Sequence, residues 1–95
     1  MPSVTGLPDP DVIVELRRRL DHADANPVVF GARNGDQNPI TVGHDMMAPL
    51  LRCELYQGPE WEPLRREMMR FSDMISGNYS GRWIRSILIA AEGGK

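Results

Sequence analysis

The sequence is poor in the groups that catalysis and redox chemistry use. Of its 95 residues one is cysteine, Cys53, so no disulfide closes within the chain. That points to a reducing compartment or to no redox pressure at all, with a cytoplasmic location as the expectation. No apolar run approaches the roughly 20 residues that a membrane-spanning helix needs. The longest, ILIAA at 87–91, is far too short. The amino-terminal stretch MPSVTGLPDPD has no basic region followed by an apolar one, so no signal peptide is expected. Paired cysteines, H-E-x-x-H spacing, a P-loop lysine and the alternating acids of an EF-hand are all missing. Catalytic residues, metal ligands and cofactors are therefore expected to be none, and the chain is not expected to be an enzyme.

Charge of one sign is also lacking. The net charge is −2, and the polarity between residues 1–60 (−4) and 61–95 (+2) is slight. Neither is the electrostatic footprint of a bulk nucleic-acid binder. Ten of the 11 basic residues are arginine. Arginine codons are GC-rich, which points to a high-GC genome, a bacterium or one of its phages. The composition that remains, 41% hydrophobic and 25% charged, is that of a globular domain. A domain of this length has a thin core, burying roughly 60–65% of its unfolded surface.

Periodicity divides the chain into a loose segment (1–8), one compact domain (9–92) and a frayed tail (93–95). Asp9 can cap a first helix, with Pro10 at its first position and Asp11 at the positive end of its dipole. Val12, Leu16, Leu20 and Ala23 form its apolar face, and it should end near Asp24. Val28-Val29-Phe30 and Ile40-Thr41-Val42 are β-rich, and Asn34-Gly35 between them is a strong hairpin signal. A second helix opens at His44-Asp45, carries Met46, Met47, Leu50, Leu51 and Leu55, and stops at Gly58-Pro59. From Pro59 to Ile75 a third helix is expected, with Trp61, Leu64, Met68, Phe71 and Ile75 in heptad spacing and Gly77 closing it. Asn78–Gly81 reads as a turn. Ser80 can cap a last helix bearing Trp83, Ile84, Ile87, Leu88 and Ala91, with a strand as competitor. The third and last helices are expected to pair. The fold class is helix-dominated α+β, about four helices and one short β-hairpin, with an all-α small bundle as alternative.

Two constellations carry little chemical specificity. Cys53 with His44 and Asp45 resembles a thiol and base in composition, but Cys53 sits among leucines, where cysteine acts as a small hydrophobe. His22 with Asp24 lacks further ligands nearby. A helix-turn-helix across Gly58-Pro59 is weakened by PEWEP, which sets two carboxylates where phosphates would bind.

What stands out is six methionines, two tryptophans and an arginine-rich second half. Methionine-rich faces adapt to partners, and tryptophan and arginine are favoured at binding hot spots. The expected function is a small non-enzymatic interaction or regulatory module of phage or mobile-element type. It would dock a protein partner, or a second copy, through Trp61, Arg65, Met69, Arg70, Tyr79, Arg82 and Trp83. A nucleic-acid regulator using Arg65, Arg66, Arg70, Arg82 and Arg85 as a strip comes second. A structural subunit of a phage-type assembly comes third. No membrane partner is expected.

Overall fold

A computed structural model describes residues 6–93. The outer parts of the two segments expected to be loose, residues 1–5 and 94–95, lie outside the described residues. The order of elements is α1 (Pro10–Ala25), β1 (Pro39–Gly43), α2 (His44–Leu51), two 3-10 turns (Glu54–Tyr56 and Pro59–Trp61), α3 (Glu62–Met69), β2 (Ser76–Ser80) and α4 (Gly81–Ala91). The helix-dominated α+β class holds: four helices surround a two-stranded antiparallel sheet.

Local signals placed α1 and α4 well. The Asp9 carboxylate accepts from the Asp11 amide, and Leu16, Leu20 and Ala23 are buried. The Ser80 hydroxyl accepts from the Trp83 amide, and Ile84, Ile87 and Leu88 face the core. These two helices make the most extensive helix pairing, while α3 lies against α2. The expected pairing of the third and last helices is thus replaced. The Tyr56 hydroxyl donates to the Ile87 carbonyl at 2.9 Å and ties the first 3-10 turn to α4.

The sheet differs from expectation in its partner strand. β1 pairs with β2, with Pro39 opposite Ser80 and Gly43 opposite Ser76. Residues Asn78–Ser80 are therefore strand rather than turn, and Val28-Val29-Phe30 is exposed irregular chain. Asn34-Gly35 does not make the type I′ turn, which needs positive φ at both positions. Among the described residues only Gly31 and Gly93 have positive φ. Instead the Asn34 side chain accepts from the Asp36 amide at 3.0 Å. The two strands share a core face: Ile40, Val42, Gly77 and Tyr79 are buried while Thr41 and Asn78 face out, bonded to each other at 2.6 Å.

The second and third helices are both shorter than periodicity implied. α2 ends at Leu51, and the chain tightens into the turn that buries Tyr56. Gly58 has φ −70°, so it is not the left-handed cap expected there. α3 ends at Met69, after which Phe71, Ser72 and Met74 donate to the carbonyls three residues back. This tightening brings Ser76 opposite Gly43, and the His44 amide bonds the Ile75 carbonyl at 2.8 Å. The heptad seam is cut: Trp61 and Leu64 are buried, Met68 and Phe71 half-buried, and Ile75 is 92% exposed. Gly77 is a strand residue whose missing side chain makes room for the Phe71 ring, which a Cβ would meet at 2.3 Å.

Asn38 is the buried polar residue of the core. Its side chain accepts from the Val28 amide at 2.9 Å and donates to the Asn26 carbonyl at 3.0 Å. Its backbone carbonyl accepts from the Gly81 amide at 2.9 Å. Gly81 comes so close that a Cβ there would lie 2.0 Å from the Gly35 carbonyl oxygen. Asn38→Ala removes the side-chain bonds to Val28 and Asn26, keeps the backbone bond to Gly81 and should cost about 1–3 kcal/mol in all. Gly81→Ala should cost about 1–3 kcal/mol by forcing backbone apart. Thermal denaturation of both variants checks this, and a Gly81→Ala melting point equal to the parent's would contradict the close approach.

Candidate functional site

The most conspicuous charged cluster joins distant parts of the chain. Arg85, one turn into α4, donates to Asp24 at 2.5 Å and to Asp36 at 2.7 Å. The other role of Asp24 is to accept from the Gly35 amide at 2.9 Å. Burial pushes the Asp24 carboxyl up, but the Arg85 guanidinium and the Gly35 amide outweigh it and hold it below the usual carboxylate range. Hydrogen bonds to Asp24 and Asp36 raise Arg85 in turn. This cluster is internally satisfied and clamps the 26–38 segment to α1 and α4. It is a tie rather than a reactive site.

The residues imagined as a thiol centre do not converge. Cys53 is buried, with its sulfur 3.6 Å from the Leu7 carbonyl oxygen and 3.8 Å from that of Pro49. It lines a hollow between the start of α1 and α2, with Asp45 on the same wall. His44 lines a different cleft. Among the described residues no three His, Cys, Asp or Glu side chains gather as metal ligands would. No described helix is long and apolar enough to cross a membrane.

The seven residues expected to form one docking surface do not share a face. Tyr79 is a core residue of β2, 1% exposed, with its ring edge-on to Phe71 at 5.6 Å. It is removed from the contact surface because it alternates inward with Gly77. Trp61 is also buried, held edge-to-face by Tyr56 at 4.8 Å and touching Trp83 at 6.1 Å. Arg70 is exposed and pairs with Glu67 at 3.3 Å. Arg82 is exposed and makes no ion pair among the described residues.

Arg65 and Met69 do come together, in a cleft of about 510 Å³ between α2 and α3. Its apolar lining is Ala48, Leu51, Met68 and Met69. Its charged lining is Arg52 and Arg65, with His44 at the start of α2 and no carboxylate. Met69 is 62% exposed and Arg52 is exposed with no ion pair among the described residues. Arg65 is held in place by donating to the Tyr56 carbonyl at 2.6 Å. Gln57 closes the end of α2 by donating to the Leu51 carbonyl at 2.7 Å. The Nδ1 atom of His44 is buried and has no hydrogen-bond partner. Apolar floor, fixed cation and exposed cation make this the best-equipped candidate recognition surface of the described residues.

Sequence reasoning missed Arg52, and it weighed His44 only with Cys53 and Asp45 rather than beside Arg65 and Met69. A signal for Arg52 existed: no Asp or Glu stands three or four residues away from it. By contrast Arg65 and Arg66 have Glu62, and Arg70 has Glu67, and those pairs form. The arginine strip is weakened by the same pairing, since Arg65, Arg66, Arg70 and Arg85 are all engaged with carboxylates.

Acid should loosen the clamp first. Asp24 is depressed in the folded state, so its stabilising contribution is full above its unfolded value of about 3.9 and is lost as pH falls through the folded value. Glu15, held at about 2 by hydrogen bonds from Arg18 and Arg19, contributes in the same acidic window. Asp24→Asn should therefore lower stability near neutrality and flatten, without abolishing, the fall in melting temperature between pH 5 and pH 2. Arg85→Met should cost about 2 kcal/mol at pH 7. An unchanged pH profile in Asp24→Asn would remove the clamp's electrostatic role.

No protein-family model matches this chain, and no curated protein or solved structure matches it, so its own surface is the ground on which function is argued.

Proposed function

We propose that the protein is a non-enzymatic docking module whose α2–α3 cleft takes an acidic, amphipathic segment of a protein partner. The observation that carries this reading is the cleft's lining: four apolar side chains, two arginines, a histidine and no carboxylate. An amphipathic helix lays apolar residues at three- and four-residue spacing into such a groove. Methionines accommodate irregular apolar shapes. Arg52 makes no ion pair among the described residues, so engaging a carboxylate breaks none of their pairs. Arg65 is fixed against the Tyr56 carbonyl and already paired with Glu62, so the charge that chooses the partner is that of Arg52.

Binding to nucleic acid is the less favoured reading. Seven of the ten arginines are paired with carboxylates: Arg17, Arg18, Arg19, Arg65, Arg66, Arg70 and Arg85. Arginines so engaged would have to break those pairs to neutralise phosphates.

Selection from a random displayed-peptide library tests the proposal. Recovered peptides should be rich in Asp and Glu, with apolar residues at helical spacing. Arg52→Glu combined with Met69→Asp changes exposed side chains and should leave the fold intact, which circular dichroism verifies. That variant should lose the selected peptides by at least about tenfold, the equivalent of one well-formed charged contact. Peptides without acidic enrichment, or peptides that bind the double variant equally, would refute the docking site.

A further inference from the structure

A second cleft, of about 320 Å³, shares no lining residue with the first. Its walls are Trp61, Trp83, Ile89 and Ala90, with Ser86 and Glu60 as its polar groups. Both tryptophans of the chain are therefore in one place. Their ring centroids are 6.1 Å apart and their planes are tilted by 39°. Trp61 is braced from behind by the edge of Tyr56, and Tyr56 is itself pinned through its hydroxyl to the Ile87 carbonyl of α4. The aromatic wall is thus preorganised before any ligand arrives.

Glu60 is the one charged group of the lining. It makes no ion pair and no side-chain hydrogen bond among the described residues. Its carboxylate folds back over Gly58, where a Cβ would stand 2.5 Å from Oε1. Indole faces and a carboxylate are both electronegative, so the cleft disfavours anions and favours cations. A divalent metal needs several oxygen ligands, and one carboxylate with one hydroxyl falls short. A primary ammonium is compact and strongly hydrated, and walls made mostly of indole and aliphatic groups return little of that hydration. A quaternary ammonium has no donors to satisfy and an apolar outer surface that suits indole and aliphatic walls.

We infer that this cleft is a binding site for a trimethylammonium group, with Trp83 and Trp61 supplying the aromatic wall and Glu60 the countercharge. Placing a ligand there uses none of the residues of the α2–α3 cleft, so either site can fail without the other.

Tryptophan fluorescence is a direct reporter, because both tryptophans line the site. The full chain is titrated with choline and with Nε-trimethyllysine, with 3,3-dimethylbutan-1-ol as the neutral isostere of choline. Saturable emission changes are expected with the cations, and the tighter of the two identifies a free or a protein-borne source. The neutral isostere should bind at least about fivefold more weakly, the loss of the cation–π and carboxylate attraction. Glu60→Gln should weaken choline by about three- to tenfold, and Trp83→Leu should remove saturable binding, with thermal melting confirming that both variants fold. Equal binding of choline and its neutral isostere, no saturation with either cation, or a Glu60→Gln variant that binds as the parent does would overturn the assignment.

Discussion

The fold depends on satisfying one buried amide side chain. Asn38 lies where the end of α1, the 26–38 segment, the start of β1 and the start of α4 meet, and it bonds to most of them. In a thin core, a buried amide without partners would cost more than most single apolar contacts provide. Its bonds can form only if the backbones come close. Gly81 and Gly35 allow that, since a side chain on Gly81 would strike the Gly35 carbonyl and one on Gly35 would strike Ala23. Arg85 then clamps the same junction from its half-exposed side through Asp24 and Asp36. With this junction made, α4 is fixed against α1, and the Pro39–Ser80 end of the ladder is set.

Features that the sequence made legible are those decided within a few residues. The Asp9 and Ser80 caps and the apolar faces of α1 and α4 follow from local chemistry and 3.6-residue periodicity. Pairing between residues far apart was not legible. Asn34-Gly35 carries the strongest local hairpin signal, yet Gly35 is needed for its lack of a side chain against Ala23 and Asn34 for an Asx turn. The true partner of Ile40-Thr41-Val42 is Gly77-Asn78-Tyr79, whose glycine and asparagine resemble a turn in composition. Its register becomes clear only when Tyr79 is seen to complete the core beside Ile40 and Val42.

The same division explains the fate of the expected binding residues. Trp61, Arg65, Met69 and Arg70 share a stripe region only if one continuous helix runs from Pro59 to Ile75. The chain instead changes from 3-10 turn to helix at Glu62 and tightens again after Met69. These breaks send Trp61 toward Trp83 and the Glu60 side, while Arg65 and Met69 turn toward α2. Helical phase and composition therefore merged into one surface residues that the fold divides between two clefts and the core. What that reading omitted, Arg52 and Glu60, are charged groups that make no ion pair among the described residues.

A net charge of −2 hides this arrangement, because whole-chain charge averages over pairs that cancel. Glu15 is shared by Arg18 and Arg19, Glu62 by Arg65 and Arg66, Glu67 meets Arg70, and two aspartates meet Arg85, so surpluses of opposite sign offset one another. Once these are set aside, Arg52 stands beside methionines and leucine, and Glu60 beside two indoles. Each apolar cleft thus keeps an uncompensated charge, and the two charges are of opposite sign. An unpaired charge on the rim of an apolar surface adds little to folding, but it chooses among ligands that the apolar surface alone would accept equally. Under the two proposals, burial would supply affinity in both clefts and the leftover charge would decide which partner can use it.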